Sequence, residues 1–125
     1  MINLIIDAAN EKIVFVIITD EQSYTTSHTN SRENFDNFMR LLLKFLKKIK
    51  IKISDISRIF VILGPGKFTS LRISLSIAKA MSLANKAILI GFKSEELINK
   101  NYIYLTKLDK KKLSIKGLIK PIYSS

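Results

Sequence analysis

The first thirty positions alternate between apolar runs of strand length and short polar breaks. Residues 2–7 are apolar except for Asn3 and end in Asp7, which predicts a strand. Ala8-Ala9-Asn10-Glu11 makes a turn, Lys12 to Thr19 a second strand rich in Ile and Val, and Asp20-Glu21 a turn into a more polar strand near Ser23 to His28. That order predicts an antiparallel meander. Asn30-Ser31-Arg32-Glu33 then has the form of a capping box, with Asn30 as N-cap and Glu33 three residues on.

From about Ser31 to Ile49 the period changes to that of a helix. Its apolar residues, from Phe35, Phe38 and Met39 through Leu42 to Ile49, spread over an arc of roughly 200°, against about 100° for a helix that covers one core. Ser54-Asp55-Ile56 turns into a continuous apolar run, Ile59 to Leu63, suited to a strand covered on both faces. Gly64-Pro65-Gly66 ends it, since Pro has no N–H to donate and Gly takes positive φ cheaply. A second long helix is expected from about Thr69 to Ala84, with Thr69 or Ser70 as its cap. Ser70, Ser74, Ala78 and Ser82 recur every four residues and make a small-residue ridge that would let another helix come close. Residues 87–91 read as a buried strand and Ser94-Glu95-Glu96 as a short helix start. The tail reads as two strands, Tyr102 to Leu108 and Leu113 to Tyr123, joined by the basic turn Asp109-Lys110-Lys111. Two helices with more apolar surface than one core uses point to a helical partner.

At 125 residues the chain suits one domain, 1–125. No apolar run approaches the ~18 residues of a membrane span, so no membrane association is expected. Met1 leads straight into Ile2-Asn3-Leu4 with no basic segment or cleavage site, so the expectation is a cytoplasmic protein. Without cysteine there is no disulfide and no thiolate metal site. The net charge of +11 fits a nucleic-acid binder, but only Arg32, Arg40, Arg58 and Arg72 among the 21 basic residues are arginine, and no base-reading motif accompanies them. Abundant Lys and Ile with scarce Ala favour compositional drift, leaving weak attraction to tRNA as the competing reading.

Candidate chemistry is sparse. Asp7, at a strand end, could hold a cation or a water, but Ala8-Ala9-Asn10 gives no Gly-rich phosphate turn, and a turn-capping carboxylate is preferred. Gly64, Gly66, Lys67, Thr69 and Arg72 lie where a strand, a turn and a helix start could hold an anion, although the P-loop spacing is missing and a tight structural turn is preferred. Arg72 is open to two readings, an anion contact or a carboxylate pair. His28 is the sole histidine, so no His-based metal site or nucleophile–base pair is available, and neither cofactor nor catalytic residue is expected.

The stretch Gly64-Pro65-Gly66-Lys67-Phe68-Thr69-Ser70-Leu71-Arg72-Ile73-Ser74, running on to Ala78, resembles the signature GPGxFTGxRIGxxxA of the TsaB (YeaZ) family. Ile5-Ile6-Asp7-Ala8-Ala9-Asn10 is similar to the opening strand of that family, Ser54-Asp55-Ile56 to its Ser-Asp-Leu, and Ala87 to Leu97 to its Val-Ile-Gly-Val-Ser-Thr-Leu-Glu segment. The likeness covers roughly residues 2–98 and leaves 99–125 a poorly matched tail. Ser70, Ser74 and Ser76 stand where the family often has Gly. Family members usually carry a second domain of similar size. The ending Lys120-Pro121-Ile122-Tyr123 resembles their close, which suggests a deleted middle.

The resemblance implies an α/β fold of the actin-like ATPase and ribonuclease H-like class, a mixed five-stranded sheet flanked by helices. It implies a non-catalytic partner of a TsaD-like enzyme in threonylcarbamoyladenosine modification of tRNA, with a TsaE-like ATPase in the same complex. The two long helices would form a four-helix bundle with those of the TsaD-like protein, or with a second copy in a homodimer. The residues expected at that interface are Phe35, Phe38, Met39, Leu42, Ser70, Ser74, Ile77, Ala78 and Met81. A residual nucleotide-binding domain and a basic RNA-binding module are the alternatives.

Overall fold

The computed structural model describes residues 1–97 and 101–107. Five strands, β1 (Ile2–Asp7), β2 (Lys12–Ile18), β3 (Ser23–Thr29), β4 (Ile56–Gly64) and β5 (Ile88–Lys93), form one sheet in the order β3-β2-β1-β4-β5. The meander is antiparallel, whereas β4 and β5 run parallel to β1. Parallel neighbours need crossovers, and helices supply them. These are α1 (Arg32–Asp36) and α2 (Phe38–Lys48) between β3 and β4, then α3 (Phe68–Asn85) between β4 and β5. A last short helix, α4 (Ile103–Lys107), follows β5.

Register sorts the apolar residues into two cores. Leu4 and Ile6 stand beside Ile17 and Phe15 on one side and Ile59 and Val61 on the other. That face is covered by Phe38, Leu42, Phe45 and Leu46 of α2 and by Leu75, Ala78 and Met81 of α3. The opposite face carries Ile5, Val16, Phe60 and Ile62, covered by Leu71, Leu97, Tyr102 and Leu105. Because β1 and β4 are buried on both faces, they read as continuous apolar runs. The edge strand β3 alternates exposed and half-buried positions.

Local differences from the sequence expectation have identifiable causes. The N-cap is Ser31, whose Oγ accepts from the Asn34 N–H at 3.3 Å. Asn30 instead donates from Nδ2 to the Ala8 and Asn10 carbonyls at 3.0 and 2.6 Å, tying the β1–β2 turn to the end of β3. The expected single helix is broken at Asn37, with φ −110° and ψ 16°. Its carboxamide donates to the Glu33 carbonyl at 3.0 Å, the local competition with the backbone that disfavours Asn inside helices.

Helix α3 starts at Phe68, with Lys67 as a cap that has no side-chain bond, so neither Thr69 nor Ser70 is the cap. Ser70 Oγ donates back to the Lys67 carbonyl at 3.2 Å. Residues 103–107 are helical, not a strand, and the second strand expected in the tail lies outside the described residues.

Candidate functional site

Two places bring the sequence candidates together. The first is the C-terminal end of β1. Asp7 is 8% exposed; its Oδ1 accepts from the Ala9 N–H at 3.4 Å and its Oδ2 from the Tyr102 hydroxyl at 2.5 Å. No cation among the described residues pairs with it. Burial pushes the Asp7 carboxyl above its ordinary value, and the bonds from Tyr102 and Ala9 oppose that only in part. Burial and the facing carboxylate push the Tyr102 phenol upward. Beside the pair lies a cleft of about 420 Å³ whose walls include Asn10, Glu11 and Lys12.

The glycine turn closes onto this strand end. Gly64 has φ 114°, a conformation glycine adopts without strain. Gly66 packs so tightly on Ala9 that a Cβ there would stand 2.5 Å from the Ala9 carbonyl oxygen. The Lys67 N–H donates to that oxygen at 3.2 Å. The two loops therefore bond to each other directly. Lys67 and Thr69 are exposed, and Arg72 lies over the Phe68 ring, with Cζ 5.1 Å from its centroid, a cation–π contact that neither reading of Arg72 anticipated. His28 sits near Phe15, ring centroids 6.3 Å apart. Among the described residues no group of His, Asp and Glu side chains is placed to hold a metal ion.

The second place is the outer side of the helix layer. The small-residue ridge faces inward: Ser70, Ser74 and Ala78 are fully buried, and Ser74 Oγ donates to the Leu71 carbonyl at 3.1 Å. Phe38, Leu42 and Met81 belong to the same core, so small residues bring α3 close to this domain's own sheet. Of the residues expected at an interface, Phe35, Met39 and Ile77 keep part of their surface.

A different strip of α3 looks outward. Phe68, Arg72, Ser76, Ala80 and Leu83 are exposed at helical spacing, Leu83 at 84% and Phe68 at 49%. Phe68, Ile73 and Ile77 line an open groove of about 390 Å³ there. On α2, Leu43 is 42% exposed. Sequence periodicity did not say which face of α3 meets the sheet, and it missed Tyr102 as the partner of Asp7, for which no local signal exists.

Strand order, the two parallel crossovers and helices on the sheet define an actin-like ATPase/ribonuclease H-like domain. The family model described as TsaD, tRNA N6-adenosine threonylcarbamoyltransferase, matches residues 4–110, and the chain belongs to this TsaD/TsaB/YeaZ family. It is 28% identical over 95 residues to the tRNA threonylcarbamoyladenosine biosynthesis protein TsaB of Buchnera aphidicola, covering 76% of this chain and 45% of that protein. Among solved structures it is similar to YeaZ from Pseudomonas aeruginosa, with a TM-score of 0.68 and 16% identity, over 74% of this chain and 43% of the other. A second Pseudomonas aeruginosa structure, described as similar to peptidase YeaZ, matches at the same TM-score of 0.68. The chain thus spans less than half the length of these relatives. No helix among the described residues is long and apolar enough to cross a membrane.

Proposed function

We infer that this chain is a non-catalytic subunit in threonylcarbamoyladenosine modification of tRNA, docking on a TsaD-like protein through the outer faces of α2 and α3. The observation that carries the reading is the exposed strip from Phe68 to Leu83, left uncovered while the opposite face of the same helix fills the core. A monomer gains nothing by holding Leu83 almost wholly in water, whereas a helical partner would bury it. Family membership and the name of the Buchnera relative, a tRNA threonylcarbamoyladenosine biosynthesis protein, support that pathway. The non-catalytic part is supported by Asp7, whose carboxylate is taken up by the Tyr102 hydroxyl and the Ala9 N–H and is followed by Ala8-Ala9-Asn10 in place of a Gly-rich phosphate turn.

The test is co-expression with the TsaD-like protein of the same cell, followed by affinity capture and size-exclusion chromatography. A stoichiometric complex that Leu83→Arg disrupts, with circular dichroism unchanged, is the expected outcome. Capture that Leu83→Arg leaves intact would remove α3 from the interface, and a homodimer that excludes the TsaD-like protein would replace the reading with self-association.

A further inference from the structure

The end of the sheet opposite Asp7 holds a feature that a docking subunit does not require. Arg58, near the start of β4, is 9% exposed, yet no carboxylate among the described residues pairs with it. Its Nε donates to Asn3 Oδ1 at 2.6 Å and one Nη to the Thr106 carbonyl at 3.1 Å. Cζ stands 5.2 Å from the centroid of the Phe60 ring. A guanidinium carries five N–H donors, so those two bonds leave part of the fork without a partner among the described residues. Burial pulls the Arg58 pKa below its ordinary value, which is the same desolvation seen from the charge itself.

That side chain forms part of the wall of a polar cleft of about 470 Å³. Lys107, itself exposed, is a second cation among the lining residues. Two acids, Asp20 and Glu21, also line the cleft, both exposed, and Asp20 is engaged by the Met1 amine at 3.1 Å. Glu21 and Lys107 are both exposed and Asp20 is paired with the Met1 amine, so Arg58 is the one buried charge among the residues lining the cleft. The neutral acceptors on Arg58, a carboxamide and a carbonyl, fix the plane of the guanidinium without cancelling its charge. A buried cation held in one orientation beside a cleft, with no carboxylate partner among the described residues, is suited to bind an oxyanion through the N–H groups that Asn3 and Thr106 leave over.

The geometry points to a small-oxyanion site at Arg58, backed by Lys107, that takes a carboxylate or phosphate group. The site is anchored by three segments far apart in sequence: Asn3 from β1, Arg58 from β4 and Thr106 from α4. Occupation would also hold α4 against the sheet, because the same guanidinium carries the Thr106 bond.

The experiment is an NMR titration of the full chain with inorganic phosphate and, separately, with acetate, each against sodium chloride at matched ionic strength. The chloride series removes the general screening expected of a chain of charge +11. Saturable shifts of the Arg58 Nε–H and of the Thr106 and Lys107 amides, absent with chloride, are expected. The arm that saturates at lower concentration identifies the group. Arg58→Lys keeps the charge and loses the fork, and should weaken binding by about tenfold. Lys107→Ala, on the surface and outside the core, should weaken it by about threefold and serves if Arg58→Lys does not fold. Shifts that track ionic strength alone, or that survive both substitutions, would overturn the site.

Discussion

The Tyr102 hydroxyl donates to the Asp7 carboxylate across 95 residues of sequence and closes the C-terminal end of the central strand. The bond fastens the segment before α4 to one face of the sheet, while Leu105 fills the core beneath it and Arg58 holds the Thr106 carbonyl at the other end. Tyr102→Phe removes the donor and leaves a buried carboxylate with the Ala9 N–H alone. Stability near pH 7 should fall by about 1–3 kcal/mol, measured by urea unfolding. An unchanged urea midpoint would mean that water replaces the phenol without loss.

The same carboxyl makes stability depend on pH in a definite direction. Burial raises the Asp7 pKa in the folded state, so the folded chain binds this proton more readily than the unfolded one. The contribution of Asp7 is then fully present below the unfolded carboxyl pKa of about 4 and is lost as pH rises through the higher folded value. Wild type should therefore gain on Asp7→Asn as pH falls from about 7 to about 4, other carboxyls cancelling in the comparison. Denaturant midpoints of both proteins across that range check it. A gap that narrows in the opposite sense would show that the bonds from Tyr102 and Ala9 outweigh burial.

Two glycines should respond differently to one added methyl group. At Gly66 the Cβ would meet backbone, the Ala9 oxygen at 2.5 Å and the Ala9 Cα at 2.8 Å, and the bond from Lys67 N–H to that oxygen would have to open. At Gly91 it would meet the tip of Leu63, with Cδ1 at 2.8 Å, and a half-exposed side chain can turn away. Gly66→Ala should destabilise by about 1–3 kcal/mol and Gly91→Ala by less. Thermal melts in parallel decide the order.

The strands were legible because each is an apolar run bounded by polar or glycine turns, and the glycine motif carried the family. The break at Asn37 was not, because a helix-period pattern continues through it and only the carboxamide's bond to Glu33 interrupts the winding. The direction of the ridge was not legible either. A helix with apolar character on several faces does not say which face meets its own sheet, and small side chains serve close approach to a sheet as well as to a helix. Tyr102 and Arg58 find their partners 95, 55 and 48 residues away, where no spacing rule reaches.

The ridge and the outer strip of α3 give opposite expectations for the same kind of substitution. Ala78 is fully buried between α3 and the sheet, beside Leu75 and Met81. Ala78→Arg would force a long charged side chain into that core with no carboxylate to meet it, at a cost of several kcal/mol, comparable with the whole stability of a domain of this size. The isolated protein should lose its folded circular dichroism signal. Leu83→Arg places the same charge in solvent and should leave unfolding within about 0.5 kcal/mol of wild type. Leu83 is therefore the position at which association can be probed without unfolding the domain. If Ala78→Arg melts like wild type, α3 does not pack on the sheet through its small residues, and the outer strip loses its assignment as the free face.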